Sequence, residues 1–140
     1  MKDYLPAVIN PLPEKTVYEM NPVVLAFVGD SVQQLYVRTK LSAGSTMKSG
    51  ELHKLAVKEV RAVSQADFAH RLLPALLPRE KDVFMRARNS KTNSPAKHAS
   101  IADYKAATGF EAVIGYLYLS GGHERLLALL EVGNEDNNDD

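Results

Sequence analysis

Apolar residues recur every three or four positions along several stretches of the chain, which is the period of an α-helix. Over residues 21–44, Asn21 is placed as an N-cap, Pro22 stands at the first helical position, and Gly44 is placed to end the helix. A second long apolar helix is predicted over residues 100–122, with two glycines at its end. Because no stretch alternates as a strand would, the pattern predicts an all-α fold.

Shorter amphipathic helices are predicted between and after the two long ones, and Pro74 is expected to bend or end one of them. We expect residues 21–133 to form one helical domain. Residues 1–20 read as an irregular lead-in, and the acid-rich residues 134–140 read as a disordered tail. The shorter helices fall at 49–63, 64–77, 78–89 and 123–133.

Composition narrows the class of protein. With 140 residues, of which 45% are hydrophobic, the chain is long enough for one globular domain with a real core. No apolar run approaches the ~20 residues that cross a bilayer, the N-terminus lacks the pattern of a secretory signal, and there is no cysteine. We therefore expect a cytoplasmic protein with no membrane contact. The formal net charge is zero, but four of the 17 acids lie in the tail. Residues 1–133 therefore carry a net positive charge, which is compatible with a polyanionic partner.

Two carboxylates stand inside the apolar helices, Asp30 in "AFVGDSVQQLYV" and Glu111 in "TGFEAVIGYLYL". An ionised carboxylate in such surroundings is costly unless something pairs with it. If the two acids converge, they could hold a hard divalent cation such as magnesium and lower the pKa of an attacking water. The alternative is that each acid is paired with an arginine or caps a helix, and spacing alone favours that alternative.

Several segments in the right order resemble the catalytic domain of the ribonuclease III family: "FVGDSV", "LHKLAVKEVRAVSQADF", "RARNSK" and "FEAVIGYLYL". The resemblance covers most of residues 21–130 and is closer to the short subfamily, Mini-ribonuclease III, which has no double-stranded RNA-binding domain. It implies an all-α helical bundle that works as a homodimer, a ribonuclease III-type endonuclease domain. It also implies that two active sites cut the two strands of a double-stranded RNA with Mg²⁺, or Mn²⁺ as a substitute, and leave 5′-phosphates.

The same resemblance assigns roles to particular residues. Asp30 and Glu111 match the family's essential carboxylates, so both are expected to be catalytic and metal-binding. Ala26 and Thr108 stand where the longer enzymes carry further acids, which leaves two firm carboxylates for each site. The implied substrate is the precursor of the large-subunit (23S) ribosomal RNA, with a ribosomal protein as a possible partner that presents it.

Basic residues near "RARNSKTNSPAK" are the best candidates for RNA contact, because an arginine fork makes paired hydrogen bonds to phosphate. We expect Arg86, Arg88, Lys91 and Lys97 to bind RNA, and His53 in "ELHKL" to lie near it. The alternatives are a solvated basic loop and a packed or surface histidine.

Two rival functions remain open at this stage. One is a non-catalytic helical dimer of the same fold that binds RNA or the ribosome. The other is a helical interaction module whose acids are salt-bridged.

Overall fold

A computed structural model of the protein describes residues 4–43, 49–63, 70–90 and 101–134. These ranges contain helices and no β-strand, so the predicted all-α class is confirmed. None of the described helices combines the length and the apolarity needed to span a bilayer. The helices are α1 (Glu14–Tyr18), α2 (Pro22–Ala43), α3 (Ser49–Val63), α4 (Pro78–Arg88), α5 (Ile101–Leu119) and α6 (His123–Asn134), with a 3₁₀ turn at Leu73–Ala75.

The start of α2 and the end of α5 follow from the residues that the sequence suggested, whereas Gly44, which was expected to end α2, lies outside the described residues. At the start of α2, the amide of Val23 donates a hydrogen bond of 2.9 Å to Oδ1 of Asn21, which is the predicted N-cap. After α5, Gly121 has a φ of 82°, in the left-handed region that favours glycine. The amide of Gly122 then donates to the carbonyl of Leu117 at 2.8 Å and closes the helix end.

The expectation of an irregular lead-in over residues 1–20 is wrong where α1 forms. Val17 of α1 is completely buried, and the hydroxyl of Tyr116 donates to Glu14 at 2.7 Å. These contacts come from distant parts of the chain, so local sequence could not reveal them. Of the predicted helix over 64–77, residues 64–69 lie outside the described residues, as do residues 135–140 of the expected tail.

Helices α2 and α5 form the centre of the fold and touch through their backbones. A Cβ added to Gly29 would overlap the carbonyl oxygen of Glu111, and one added to Gly115 would overlap the carbonyl oxygen of Leu25. Only glycine permits so close an approach of two main chains. Because the step from Leu25 to Gly29 matches the step from Gly115 back to Glu111, the two helices run antiparallel.

A buried ion pair joins α4 to α6. Glu80 accepts hydrogen bonds from Nε and Nη2 of Arg125, at 2.9 and 2.8 Å, and from the amide of Leu77 at 2.9 Å. The side chain of Glu80 is only 4% exposed, so the guanidinium and the amide replace the water that burial removes. This acid therefore has a structural role that is complete within the chain.

The helix crossing generates a stability prediction. We expect Gly29→Ala to lower the free energy of unfolding by about 2 kcal/mol or more, because the new methyl meets backbone atoms that cannot move aside. Gly50→Ala is the matched control, since nothing lies within 4 Å of a Cβ there. It should leave the free energy of unfolding unchanged or raise it by up to about 1 kcal/mol. Urea denaturation checks both, and equal stability of the two variants would contradict the close crossing.

Candidate active site

The glycine crossing brings Asp30 and Glu111 together. Asp30 follows Gly29 directly along α2, and Gly29 packs on the main chain of Glu111 itself. The two side chains leave the crossing side by side, and their carboxyl groups share a hydrogen bond. Both residues are half-buried, which leaves the pair a route to solvent.

The electrostatics of this pair are unusual for two acids in one protein. Burial, together with the hydrogen bond and the negative charge of Asp30, raises the pKa of Glu111 to about 8. At neutral pH Glu111 therefore keeps its proton, and the hydrogen bond between the two carboxyl groups makes this a shared proton.

No lysine or arginine forms an ion pair with either acid within the part of the chain that the structure describes. This contrasts with Glu80, which Arg125 neutralises. Among the described residues, the alternative in which each acid is locked to its own arginine is therefore not observed. Two adjacent carboxylates with no cationic partner in this part of the chain are an oxygen-rich site that a divalent cation would neutralise.

The ligand set fits a cation that keeps several of its waters. Across the described residues there is no cluster of three or more histidine, aspartate or glutamate side chains that could enclose a metal. Thr108 adds no third carboxylate, since its side chain is a neutral hydroxyl that donates to the carbonyl of Tyr104 at 3.0 Å, and Ala26 is buried and has an apolar side chain. Magnesium commonly binds through one or two carboxylates while water and substrate oxygens complete its shell.

Sequence reasoning missed two residues that continue the site along α2. Nε2 of Gln34 donates to Oδ2 of Asp30 at 3.2 Å, and Nη1 of Arg38 donates to Oε1 of Gln34 at 3.0 Å. Because arginine can only donate, it fixes the amide oxygen toward itself and the amide nitrogen toward Asp30. The regular spacing of four residues from Asp30 was the signal that could have found this row.

The predicted RNA-binding arginines lie in different environments. Arg86 donates to Asp82 at 3.0 Å and to the carbonyl of Tyr18 at 2.8 Å, and its guanidinium lies 4.8 Å from the centre of the Tyr18 ring. It therefore fastens α1 to α4. Arg88 is exposed, and its nearest polar contact is the sulfur of Met85 at 3.9 Å.

The remaining predicted RNA contacts are placed only in part. His53 is exposed on the first turns of α3. Lys91 and Lys97 lie outside the described residues. The structure thus brings Asp30 and Glu111 together, and the two described arginines that were predicted to bind RNA make their contacts elsewhere, within α1 and α4.

Comparison with known proteins agrees with this site. A family model described as "Ribonuclease III domain" matches residues 23–122, which include both carboxylates. The chain therefore belongs to the ribonuclease III family, a family of endoribonucleases. Within the family it is similar to proteins named Mini-ribonuclease 3: it is 45% identical to that of Thermoanaerobacter sp. (strain X514) over 121 residues.

Further relatives support the same placement. The Mini-ribonuclease 3 of Brevibacillus brevis is 47% identical over 111 residues. The match covers 79% of this chain and 83% of the Brevibacillus protein, against 86% and 85% for the Thermoanaerobacter protein. The crystal structure of a protein from Fusobacterium nucleatum superposes with a TM-score of 0.75 at 25% identity, over 85% of this chain and 95% of that one. The likeness extends over nearly the whole of each relative.

The shared proton generates a prediction about stability and pH. The folded-state pKa of Glu111 lies above its unfolded value, so its stabilising effect is complete below about pH 4.5 and is lost as the pH rises to about 8. Without metal, we expect this group to lower the free energy of unfolding by at most about 1.4 kcal/mol per pH unit in that window.

Glu111→Gln cannot titrate and should flatten this dependence, whereas Glu124→Gln, at an exposed glutamate of α6, should follow the parent. Urea denaturation with a chelator at pH 5, 6.5 and 8 measures the difference. Parallel pH curves for all three proteins would contradict the shared proton.

Proposed function

We propose that the protein is a magnesium-dependent endoribonuclease that hydrolyses the phosphodiester bonds of double-stranded RNA and leaves 5′-phosphates. The observation that carries this proposal is the contact between Asp30 and Glu111, two acids that share one proton and have no cationic partner among the described residues. A purely RNA-binding helical dimer would gain nothing from such a pair. Membership of the ribonuclease III family supports the same reaction.

Asp30 and Glu111 would both bind the cation, but they differ in how they become available to it. Asp30 is oriented by the amide of Gln34. Glu111 must release its proton before both of its oxygens are available, so metal binding is coupled to proton loss. When bound, a divalent cation lowers the pKa of an attacking water and offsets the charge of the phosphate.

The outer face of α2 supports a homodimer. Phe27 is 69% exposed; Val23 and Val24, one turn before it, and Leu35, two turns after it, are each at least 40% exposed. A stripe of exposed apolar side chains along one helix marks an interaction surface. Because the stripe lies next to Asp30, pairing of two copies through it would place two sites near one twofold axis, which matches the two strands of a duplex.

We propose that RNA docks through the exposed Arg88 and His53 and through Lys91 and Lys97, with Arg86 holding α1 to α4. A-form RNA is read mostly by shape through phosphates and 2′-hydroxyls, which suits such a surface. Resemblance to the short subfamily supports the cytoplasmic precursor of 23S ribosomal RNA as the substrate, with a ribosomal protein to present it.

The carboxylate pair is tested by neutral substitutions. Asp30→Asn and Glu111→Gln should each slow the cleavage of duplex RNA at least about 10²-fold, because each removes a charged ligand of the cation. Glu124→Gln makes the same charge change at an exposed site on α6 and should cut like the parent. Gel assays with magnesium, and with chelator as the blank, measure the rates. Unchanged cutting by Asp30→Asn would remove the assignment.

The dimer is tested at Phe27. Replacement by glutamine should weaken association about 30-fold or more, since a buried aromatic anchor contributes about 2 kcal/mol or more to an interface. Ile9→Gln is the control, because Ile9 is 91% exposed and lies outside α2. Sedimentation velocity at micromolar concentration distinguishes the two variants. A parent protein that is strictly monomeric and still cuts both strands would overturn the dimer.

A further inference from the structure

A cleft opens where the end of α2 meets the start of α3. Its volume is about 250 Å³, which exceeds the size of a phosphate group. Most of its wall is apolar, and among the described residues its lining adds a guanidinium, an imidazole and two hydroxyls but no carboxylate. The lining residues are Arg38, Leu41, Ser42, Ser49, Leu52 and His53. Such a set of donors without an acid suits an anion.

The cleft is connected to the carboxylate pair through one row of side chains. Asp30, Gln34 and Arg38 follow each other at four-residue steps along α2 and are joined by hydrogen bonds of 3.2 and 3.0 Å. Arg38 is exposed, and within the described residues it donates one hydrogen bond, to Gln34, so the rest of its planar guanidinium can bind a ligand. Eight residues of helix place Arg38 ~12 Å from Asp30 along the axis.

We propose that this cleft binds a backbone phosphate of duplex RNA that flanks the scissile bond, with Arg38 as the main contact and His53 as the second. The inference rests on the proposed function, since it takes the bond to be cut at Asp30 and Glu111. The cleft opens at one end of the helix that carries Asp30, so a strand leaving the carboxylates along α2 meets Arg38. The guanidinium of Arg38 at one end of the row and the carboxylate pair at the other would then fix the position of the RNA strand along α2.

A competing explanation is that Arg38 only holds Gln34, which in turn orients Asp30. Such a positioning role would change the rate constant kcat and the magnesium dependence, and Gln34→Ala would reproduce it. A phosphate contact would change the affinity for RNA and its dependence on salt, because each phosphate contact releases about one counterion.

The test compares Arg38→Gln, Arg38→Lys and His53→Gln with Lys40→Gln, which removes a charge two residues along α2 on another face of the helix. Binding of duplex RNA is measured on the Glu111→Gln background as a function of salt, and kcat and KM are measured with Glu111 intact. Arg38→Gln should weaken RNA binding about tenfold and lower the slope of log K against log salt by about one, and Gln34→Ala, which breaks the row but keeps the guanidinium, should reproduce neither change.

The other variants sharpen this outcome. Arg38→Lys should keep the salt slope and lose part of the affinity, His53→Gln should weaken binding less than Arg38→Gln, and Lys40→Gln should match the parent. An Arg38→Gln protein with the affinity and slope of Lys40→Gln, or with a lowered kcat alone, would overturn the subsite. Failure of the proposed function is distinct, since the parent would then not cut duplex RNA, and the binding measurements would still decide the role of Arg38.

Discussion

The contact between the backbones of α2 and α5 at Gly29 and Gly115 is the constraint on which the rest of the site depends. Two helices that touch through glycine cannot hold large side chains between them at that point, so the residues beside the contact are forced to its edge. Asp30 and Glu111 stand there, one on each helix. Their proximity is thus a consequence of main-chain packing, and it persists although the two acids repel each other when both are ionised.

The buried and half-buried acids of this fold lie in two different environments. Glu80 receives a guanidinium and an amide from its own chain, so its charge is satisfied without any ligand. Among the described residues, Asp30 and Glu111 receive the proton that they share and the amide of Gln34, and burial together with the nearby Asp30 raises the pKa of Glu111 to about 8. Within the described residues the first arrangement is complete. The second is one that a divalent cation would complete, which is the chemical basis for a metal-assisted nuclease.

The sequence alone predicted those features of the structure that depend on neighbouring residues in the chain. Asn21 and Gly121 mark helix ends because their own backbone and side-chain preferences require it, and the two acids were conspicuous because their neighbours are apolar. Helix α1 and the contacts of Arg86 could not be predicted, since Val17 and Tyr18 gain partners that lie far away in the sequence. Gln34 and Arg38 were overlooked because polar residues on an exposed helix face are common. Only their hydrogen bonds in a row that starts at Asp30 connect them to the site.

The most direct test of the account is a crystal of the protein soaked with manganese and measured at the manganese absorption edge. Manganese is an oxygen-seeking stand-in for magnesium whose anomalous signal locates it without reference to the protein atoms. We expect a peak within ligand distance of both Asp30 and Glu111. A manganese concentration that supports RNA cleavage but gives no peak between these two carboxylates would contradict the account.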